Sequence, residues 1–302
     1  MSNKSICQYT PKKIFRLLFS EASEVGLLNF MDDKTFLKIY YKAYMGKKLN
    51  LKNPSRYTEK LQWLKLYDRK NIYTDLCDKY KVRAFVADRI GEEHLIPLLG
   101  VWDNPEDINF DELPNSFVLK CNHDSGGVII VQDKTKIDKN QIVRTLRKHL
   151  KKNFYWKGRE WPYKNIEKKV IAEQFMVDES GYELKDYKFF CFDGKFKSIF
   201  IATDRGKDTR FDFFDANFNH LDIINGHPMA DKPILKPEKF DEMVNLAEAL
   251  SKGFPQVRVD LYNINGKIYF GEMTFFHWGG KIPFEPDEWD YTFGNWITLP
   301  NN

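Results

Sequence analysis

The sequence is poor in cysteine and has no long apolar run. Its four cysteines, Cys7, Cys77, Cys121 and Cys191, are scattered, with no close pair at metal-ligand spacing. That argues against a disulfide framework and a thiolate metal site, and makes a reducing cytoplasm the expected setting. No apolar stretch reaches the roughly 20 residues that cross a bilayer, and no secretory signal is visible at the N-terminus. The interrupted apolar segment 14–30 reads first as a helix packed on the main body and second as a peripheral membrane contact. A strong charge excess is missing too: the formal charge is +4 over 302 residues. That does not indicate nucleic acid, and it suits anionic small ligands. There is no internal repeat and no low-complexity tract. No glycine loop ends in Gly-Lys-Ser/Thr, so the P-loop phosphate site is excluded.

What is present is a well-stocked core. Hydrophobic residues make up 42% and charged residues 30%, which predicts a folded chain of one large domain or two to three packed lobes. Residues 12–48 read as helical, with Phe36, Leu37, Tyr40, Tyr41 and Tyr44 at helical spacing. Asn53-Pro54-Ser55 breaks that run, and a helix around Leu61, Trp63 and Leu64 follows. Residues 75–89 read as one helix stopping at Gly91, and 95–102 as a short buried strand and turn. From Phe117 the period changes to that of strands. Residues 117–120 and 128–131 form a predicted hairpin, 138–152 a basic amphipathic helix, and 170–175 a strand. Two further hairpins turn over Asp193-Gly194 and Asn265-Gly266, with a strand at 211–214 and a helix at 237–252. Antiparallel hairpins dominate the second half, which predicts an α+β fold rather than a doubly wound sheet.

Four constellations carry candidate chemistry. Lys120-Cys121-Asn122-His123-Asp124-Ser125-Gly126-Gly127 places a cation ahead of two glycines, whose bare backbone can approach an anion; alone, it reads equally as a hairpin turn with an exposed lysine. On the last hairpin, Asp260 and Glu272 are hard-oxygen donors of the kind Mg²⁺ takes, or else two unrelated solvent-facing acids. Arg258 and Asp260 share a strand face. Glu272 joins it only if paired positions sum to an even number. A three-residue loop, Ile264-Asn265-Gly266, with Gly266 at its left-handed position, would set Glu272 opposite Arg258, and this form, or a bulge with the same effect, is what the turn predicts. A plain two-residue turn would put Glu272 on the other face. The strand Val170-Ile171-Ala172-Glu173-Gln174-Phe175 could offer backbone groups to an adenine edge, or be an ordinary buried strand. Asp186-Tyr187-Lys188 sets an acid and a lysine on one strand face, where a simple ion pair is the plain reading.

The order of Lys79, Lys120, Glu173, Asp260 and Glu272 resembles that of the ATP-grasp superfamily. Seven stretches narrow the resemblance to its TupA-like branch, associated with bacterial surface-polysaccharide (capsule) synthesis. They begin with Tyr57-Thr58-Glu59-Lys60-Leu61-Gln62-Trp63-Leu64-Lys65, Asp78-Lys79-Tyr80-Lys81-Val82-Arg83 and Ile96-Pro97-Leu98-Leu99-Gly100-Val101-Trp102. Phe117-Val118-Leu119-Lys120-Cys121-Asn122-His123, Asp186-Tyr187-Lys188, Val257-Arg258-Val259-Asp260-Leu261-Tyr262 and Phe270-Gly271-Glu272-Met273-Thr274 complete them. The likeness runs from about residue 50 to the end. It implies an ATP-grasp fold of two α+β lobes clamping the nucleotide, with a helical N-terminal region. The implied limits are 1–70 for that region and 71–302 for the ATP-grasp part, with 115–175 as a mobile clamp and 176–302 as the metal-binding lobe.

By that resemblance, Lys79 and Lys120 would reach the phosphates of ATP, with Lys188 a further cofactor-binding and catalytic residue. Ser125, Gly126 and Gly127 would cover the phosphates, and Glu173, Gln174 and Phe175 would line the adenine hinge. Asp260 and Glu272 would hold Mg²⁺, and Arg258 would face an acyl phosphate. Thr274 departs from the pattern, because many relatives carry a metal-binding Asn there. The implied activity is an ADP-forming carboxylate–amine ligase, its substrates an acidic sugar or polysaccharide precursor and a small amine. Arg205, Lys207 and Arg210 are candidates to hold the acid. A phosphotransferase on the same fold is the second reading. A glycosyltransferase would need an Asp-x-Asp motif, which the chain lacks.

Overall fold

The computed structural model describes residues 10–181, 184–204 and 208–301. Two antiparallel sheets organise it. The smaller joins β1 (Leu98–Trp102), β2 (Phe117–Cys121), β3 (Val128–Val131) and β4 (Val170–Gln174) in the order β1-β4-β2-β3. The larger joins β5 (Asp186–Phe192), β6 (Lys195–Thr203), β7 (Arg210–Asp215), β8 (His220–Leu221), β9 (Val257–Ile264) and β10 (Lys267–Thr274) in the order β10-β9-β5-β6-β7-β8. With helices packed around them, this is the mixed helix-and-sheet arrangement of the ATP-grasp fold expected from the sequence.

Each sheet has its own core. The small one closes over Phe117, Leu119, Val170 and Ala172 against Ile142 and Leu146 of α6 (Lys139–Leu150). Asp138 caps that helix, accepting from the Gln141 N–H at 2.9 Å. The large core is aromatic, with Phe189, Phe190, Phe200 and Phe213 fully buried. Phe190 meets Phe293 edge to face at 5.1 Å. Phe293 belongs to a C-terminal helix, Glu288–Trp296, that the sequence reading did not identify. A third cluster joins Phe19 of α1 (Pro11–Glu24) to Phe36, Leu37 and Tyr40 of α2 (Asp33–Met45). The next helix, α3 (Tyr57–Tyr67), sends Tyr57, Leu61 and Leu64 into the large core instead.

Two expected helices are divided. The 12–48 run breaks at Gly26, whose φ is +82°, and restarts at the Asp32 cap, which accepts from the Thr35 N–H at 3.0 Å. The 75–89 run splits into α4 (Ile72–Cys77) and α5 (Val82–Ile90), because the Asp78 carboxylate accepts from the N–H groups of Tyr80 and Lys81 and turns the chain. The second break matters for function, since it puts Lys79 on the corner. The Lys79 N–H then donates to the Asn122 carbonyl at 3.0 Å, tying that corner to the glycine loop after β2. Cys77, Cys121 and Cys191 are buried free thiols. Among the described residues no helix is long and apolar enough to cross a membrane.

Candidate functional site

The site starts from the register of three strands in the large sheet. In the β5–β9 ladder Lys188 faces Asp260 and Phe190 faces Arg258. The β9–β10 turn is the two-residue one, pairing Ile264 with Lys267, so the expected three-residue loop is not formed. The reason is local. Asn265 and Gly266 both take positive φ, +52° and +76°, the type I′ geometry whose twist matches the strands it joins. A regular ladder from that turn would carry Glu272 to the opposite face. The ladder is not regular. It slips one residue between Phe270 and Glu272, so Phe270 faces Leu261 and Glu272 faces Asp260. Gly271 is the extra residue, and a Cβ there would sit 3.0 Å from the Asp260 carbonyl. The bulge restores the even parity, with Glu272 opposite Asp260 and Thr274, not Glu272, opposite Arg258. Lys188, Asp260 and Glu272 thus lie in one row across three strands, with Arg258 and Thr274 in the next.

The row is electrostatically closed. Arg258 Nε and Nη2 donate to the two oxygens of Asp260 at 2.6 and 2.7 Å, and Lys188 also bonds Asp260. Arg258 Nη2 further donates to Glu272 at 3.1 Å and to the Thr274 hydroxyl at 2.9 Å. The Thr274 hydroxyl in turn donates to Glu272 at 3.0 Å. Thr274 therefore braces the carboxylate beside it. Desolvation raises the Glu272 carboxyl, but Lys188, Arg258 and Lys79 outweigh it and hold that carboxyl at about 2. Burial pushes Asp260 upward against the pull of Arg258 and Lys188. The two acids also differ in access: the Glu272 side chain is 42% exposed and that of Asp260 only 1%.

Two supports escaped the sequence reading. Arg258 Nη1 donates to His277 Nδ1 at 2.7 Å, and His277 Nε2 then donates to Asn225 Oδ1 at 2.8 Å. Burial, with Arg258 and Lys188 nearby, drives the His277 pKa well below the usual imidazole range, so the ring is neutral. His277 opens a turn in which Trp278, Gly279 and Gly280 all have positive φ. Lys65, fully buried on α3, fastens that turn by donating to the carbonyls of Gly279 and Gly158, both at 2.8 Å. Gln62 donates to the Gly279 and Gly280 carbonyls at 3.1 and 3.2 Å. Burial lowers the Lys65 pKa to about 8. His277 and Asn225 sit in irregular backbone and show no periodicity. Lys65 carried a signal, its place in the 57–65 stretch, but no indication of burial.

The small sheet supplies a second group. Lys120 Nζ bonds Glu173 at 2.5 Å, and Arg83 lies 3.6 Å from the other Glu173 oxygen. Gln174 is exposed at the end of β4, and Phe175 follows it half-buried. Ser125 and Gly126 are exposed, and Gly126 takes φ +96°. At Gly127 a Cβ would lie 2.5 Å from the Asp124 carboxylate, which His149 pins at 2.6 Å. Lys79 Nζ donates to the Asp124 carbonyl at 2.5 Å. Lys79 also lines a narrow depression with Glu272, Gly271 and Tyr163, so this one side chain links the glycine loop to the carboxylate row. Of the candidates for holding an acid, Arg210 is engaged by Asp208 and by the Met229 carbonyl, while Arg205 and Lys207 lie outside the described residues.

These residues suit a metal-bound nucleotide. A glycine loop with exposed backbone, a lysine beside Glu272 in the depression, and two hard-oxygen acids form a donor set for phosphate and Mg²⁺. No group of three or more His, Cys, Asp or Glu side chains gathers among the described residues. A metal here would therefore complete its shell with phosphate oxygens and water.

No curated protein matches the chain by sequence. Among solved structures it is similar to D-alanine–D-alanine ligase from Bacillus anthracis complexed with ATP, at 22% identity over 66% of this chain and 55% of that one, with a TM-score of 0.40. It is similar to L-amino acid ligase from Bacillus licheniformis, at 14% identity over 83% and 55%, with a TM-score of 0.42. A third is the ATP-grasp ligase PsnB complexed with minimal precursor, Mg and ADP, at 11% identity over 85% and 66%, with a TM-score of 0.38. The chain thus spans little more than half the length of the two Bacillus ligases. The family model for TupA-like ATPgrasp matches residues 59–298, a span that contains both sheets and every site residue above. The chain belongs to the TupA-like ATP-grasp family.

Proposed function

We propose that this chain is an ATP- and Mg²⁺-dependent carboxylate–amine ligase, ADP-forming, working through an acyl phosphate. The observation that carries the reading is the row Lys188–Asp260–Glu272, set on one face by the Gly271 bulge and locked by Arg258. Bound Mg²⁺ would supply Lewis-acid neutralisation of phosphate charge. Glu272, the more accessible acid, is its first ligand in this reading and Asp260 its second. Lys79 and Lys120 take the phosphates, Lys120 exchanging Glu173 for them, and Lys188 adds charge at the transferring end. The Ser125-Gly126-Gly127 backbone covers the phosphates and keeps water off the acyl phosphate. Glu173, Gln174 and Phe175 form the adenine edge. Arg258, held in place by Asp260, faces the acyl group. Positioning and preorganised charge supply the catalysis.

In the same reading, residues 115–175 are the moving clamp, 176–302 the metal-binding lobe, and 1–70 a helical region packed on the body. The acid is a uronic acid or similar unit of a bacterial surface polysaccharide, the amine is small, and the setting is the cytoplasm. Incubation with Mg-ATP and pools of uronic acids and amines tests this. ADP together with an amide supports it. AMP with pyrophosphate overturns the acyl-phosphate route, and an amine-independent phosphorylated product selects the phosphotransferase.

A further inference from the structure

A groove of about 630 Å³ lies between α2, the loop that follows it and the end of α3, and shares no lining residue with the carboxylate row. Its walls come from three separate segments. Lys34 and Lys38 are one turn apart on α2, and Lys48 and Lys52 flank Asn50 on the following loop. Tyr67, at the end of α3, closes one side. All four lysines are exposed, and no acidic residue lines the groove. Neighbouring cations are paired, Lys47 with Asp287 at 2.7 Å and Arg69 with Asp33 at 2.6 Å. The four groove lysines have no ion-pair partner among the described residues.

The loop that carries two of them is hydrogen-bonded in place. The Asn50 N–H donates to Glu59 at 3.2 Å, and the Asn50 side chain donates to the Asn53 carbonyl at 2.8 Å and accepts from the Asn53 N–H at 3.0 Å. The same Glu59 accepts from the N–H groups of Ser55 and Arg56 at the start of α3, so loop and helix share one anchor. The charge is local as well. Residues 10–52 carry nine lysines and arginines against four acids, although the whole chain is only +4. Four like charges facing one concavity repel each other across it, and an anionic occupant relieves that repulsion.

We propose that this groove binds a linear carboxylated glycan, its lysines meeting successive acidic units of the chain. Lysine is a compact point charge without the fork that selects phosphate geometry, and no arginine lines the groove, which suits single, spaced charges. A flat lipid surface does not enter a concavity, and the large exposed apolar side chains of the N-terminal region, such as Leu18, Leu27 and Phe30, do not line it. The choice of a glycan among polyanions rests on the function proposed above. The groove's preference for anions does not.

Fluorescence anisotropy with labelled oligogalacturonate and the full chain, without nucleotide, tests the site. Binding is expected at 50 mM NaCl, falling roughly tenfold or more by 300 mM. The K34Q/K38Q/K48Q/K52Q variant should lose about tenfold or more in affinity with an unchanged melting temperature, while the fourfold Lys→Arg variant retains it. Equal binding by the wild type and the Gln variant overturns the site, as does equal binding of a neutral glucan of the same length. Capture by phosphatidylglycerol vesicles without oligogalacturonate binding overturns the glycan assignment. Because no turnover is read, failure of the ligase reaction leaves this result standing, and loss of the groove leaves the ligase reaction untouched.

Discussion

The two sheets hold their charges in opposite ways. On the large sheet, Arg258, Asp260, Lys188, Glu272, Thr274 and His277 form a mutually bonded cluster whose geometry comes from strand register. On the small sheet, Lys120 and Glu173 make one contact supported by Arg83, and the adjoining phosphate-type surface is loop backbone. The difference separates rigidity from exchange. A saturated buried cluster is strongly destabilised when one member is removed, because the others keep their charge without a partner. A single pair beside an exposed loop can change partners. The lesson is that the two sheets offer different material, fixed charges on the large one and an exchangeable pair on the small one.

The largest test of this contrast is Asp260→Ala. It leaves two cations, Arg258 and Lys188, with Glu272 as their nearest remaining acid in the row, so urea denaturation should show a loss of about 3–5 kcal/mol along with abolished turnover. Lys120→Met should separate the two quantities: Glu173 keeps Arg83, so stability falls by only about 1 kcal/mol, while ATP turnover falls by roughly two to four decades. If Lys120→Met destabilises as much as Asp260→Ala, the contrast is wrong. Gly127→Ala pushes a Cβ into a carboxylate that His149 holds in place, so the loop must move. Its KM for ATP should rise about tenfold, with a melting temperature near that of the wild type.

The smallest effect is one of pH. The His277 pKa is depressed on folding, so the unfolded chain binds its proton first. The stability from keeping His277 neutral is complete above about 6.5 and is lost as pH falls below it, by up to about 1.4 kcal/mol per pH unit. Glu272 is depressed to about 2, and its contribution is lost only below about 4.5. A His277→Gln variant should therefore flatten the urea-midpoint profile between pH 6.5 and 5 relative to wild type. An unchanged slope would mean that His277 is charged in the folded protein.

What the sequence disclosed follows from how locally each feature is encoded. The Asp193-Gly194 turn is read directly, with both residues at positive φ and Phe192 facing Lys195. Arg258 and Asp260 share a face by strand alternation alone. Glu272 was harder, because parity depends jointly on turn length and bulges, and Asn265-Gly266 accommodates more than one loop. Gly271 was the missing cue: a glycine inside a strand pattern signals a bulge or a close backbone approach, and here it is both. The His277–Gly280 turn, Asn225 and the buried state of Lys65 arise only when distant segments meet, and no period announces them. The division of residues 75–89 was legible in principle from Asp78, whose side chain competes with the helix for backbone N–H groups.

The bulge at Gly271 also divides the hairpin into two stretches with separate tolerances. Beyond it, toward Asn265-Gly266, residues can be added or removed in cross-strand pairs without altering which way Glu272 points. On the other side a single insertion or deletion between Glu272 and Thr274 would turn Thr274 to the opposite face, away from Arg258 and Glu272. Length variation in this hairpin is therefore expected at the tip, with the stretch from Gly271 to Thr274 behaving as a fixed-length cassette.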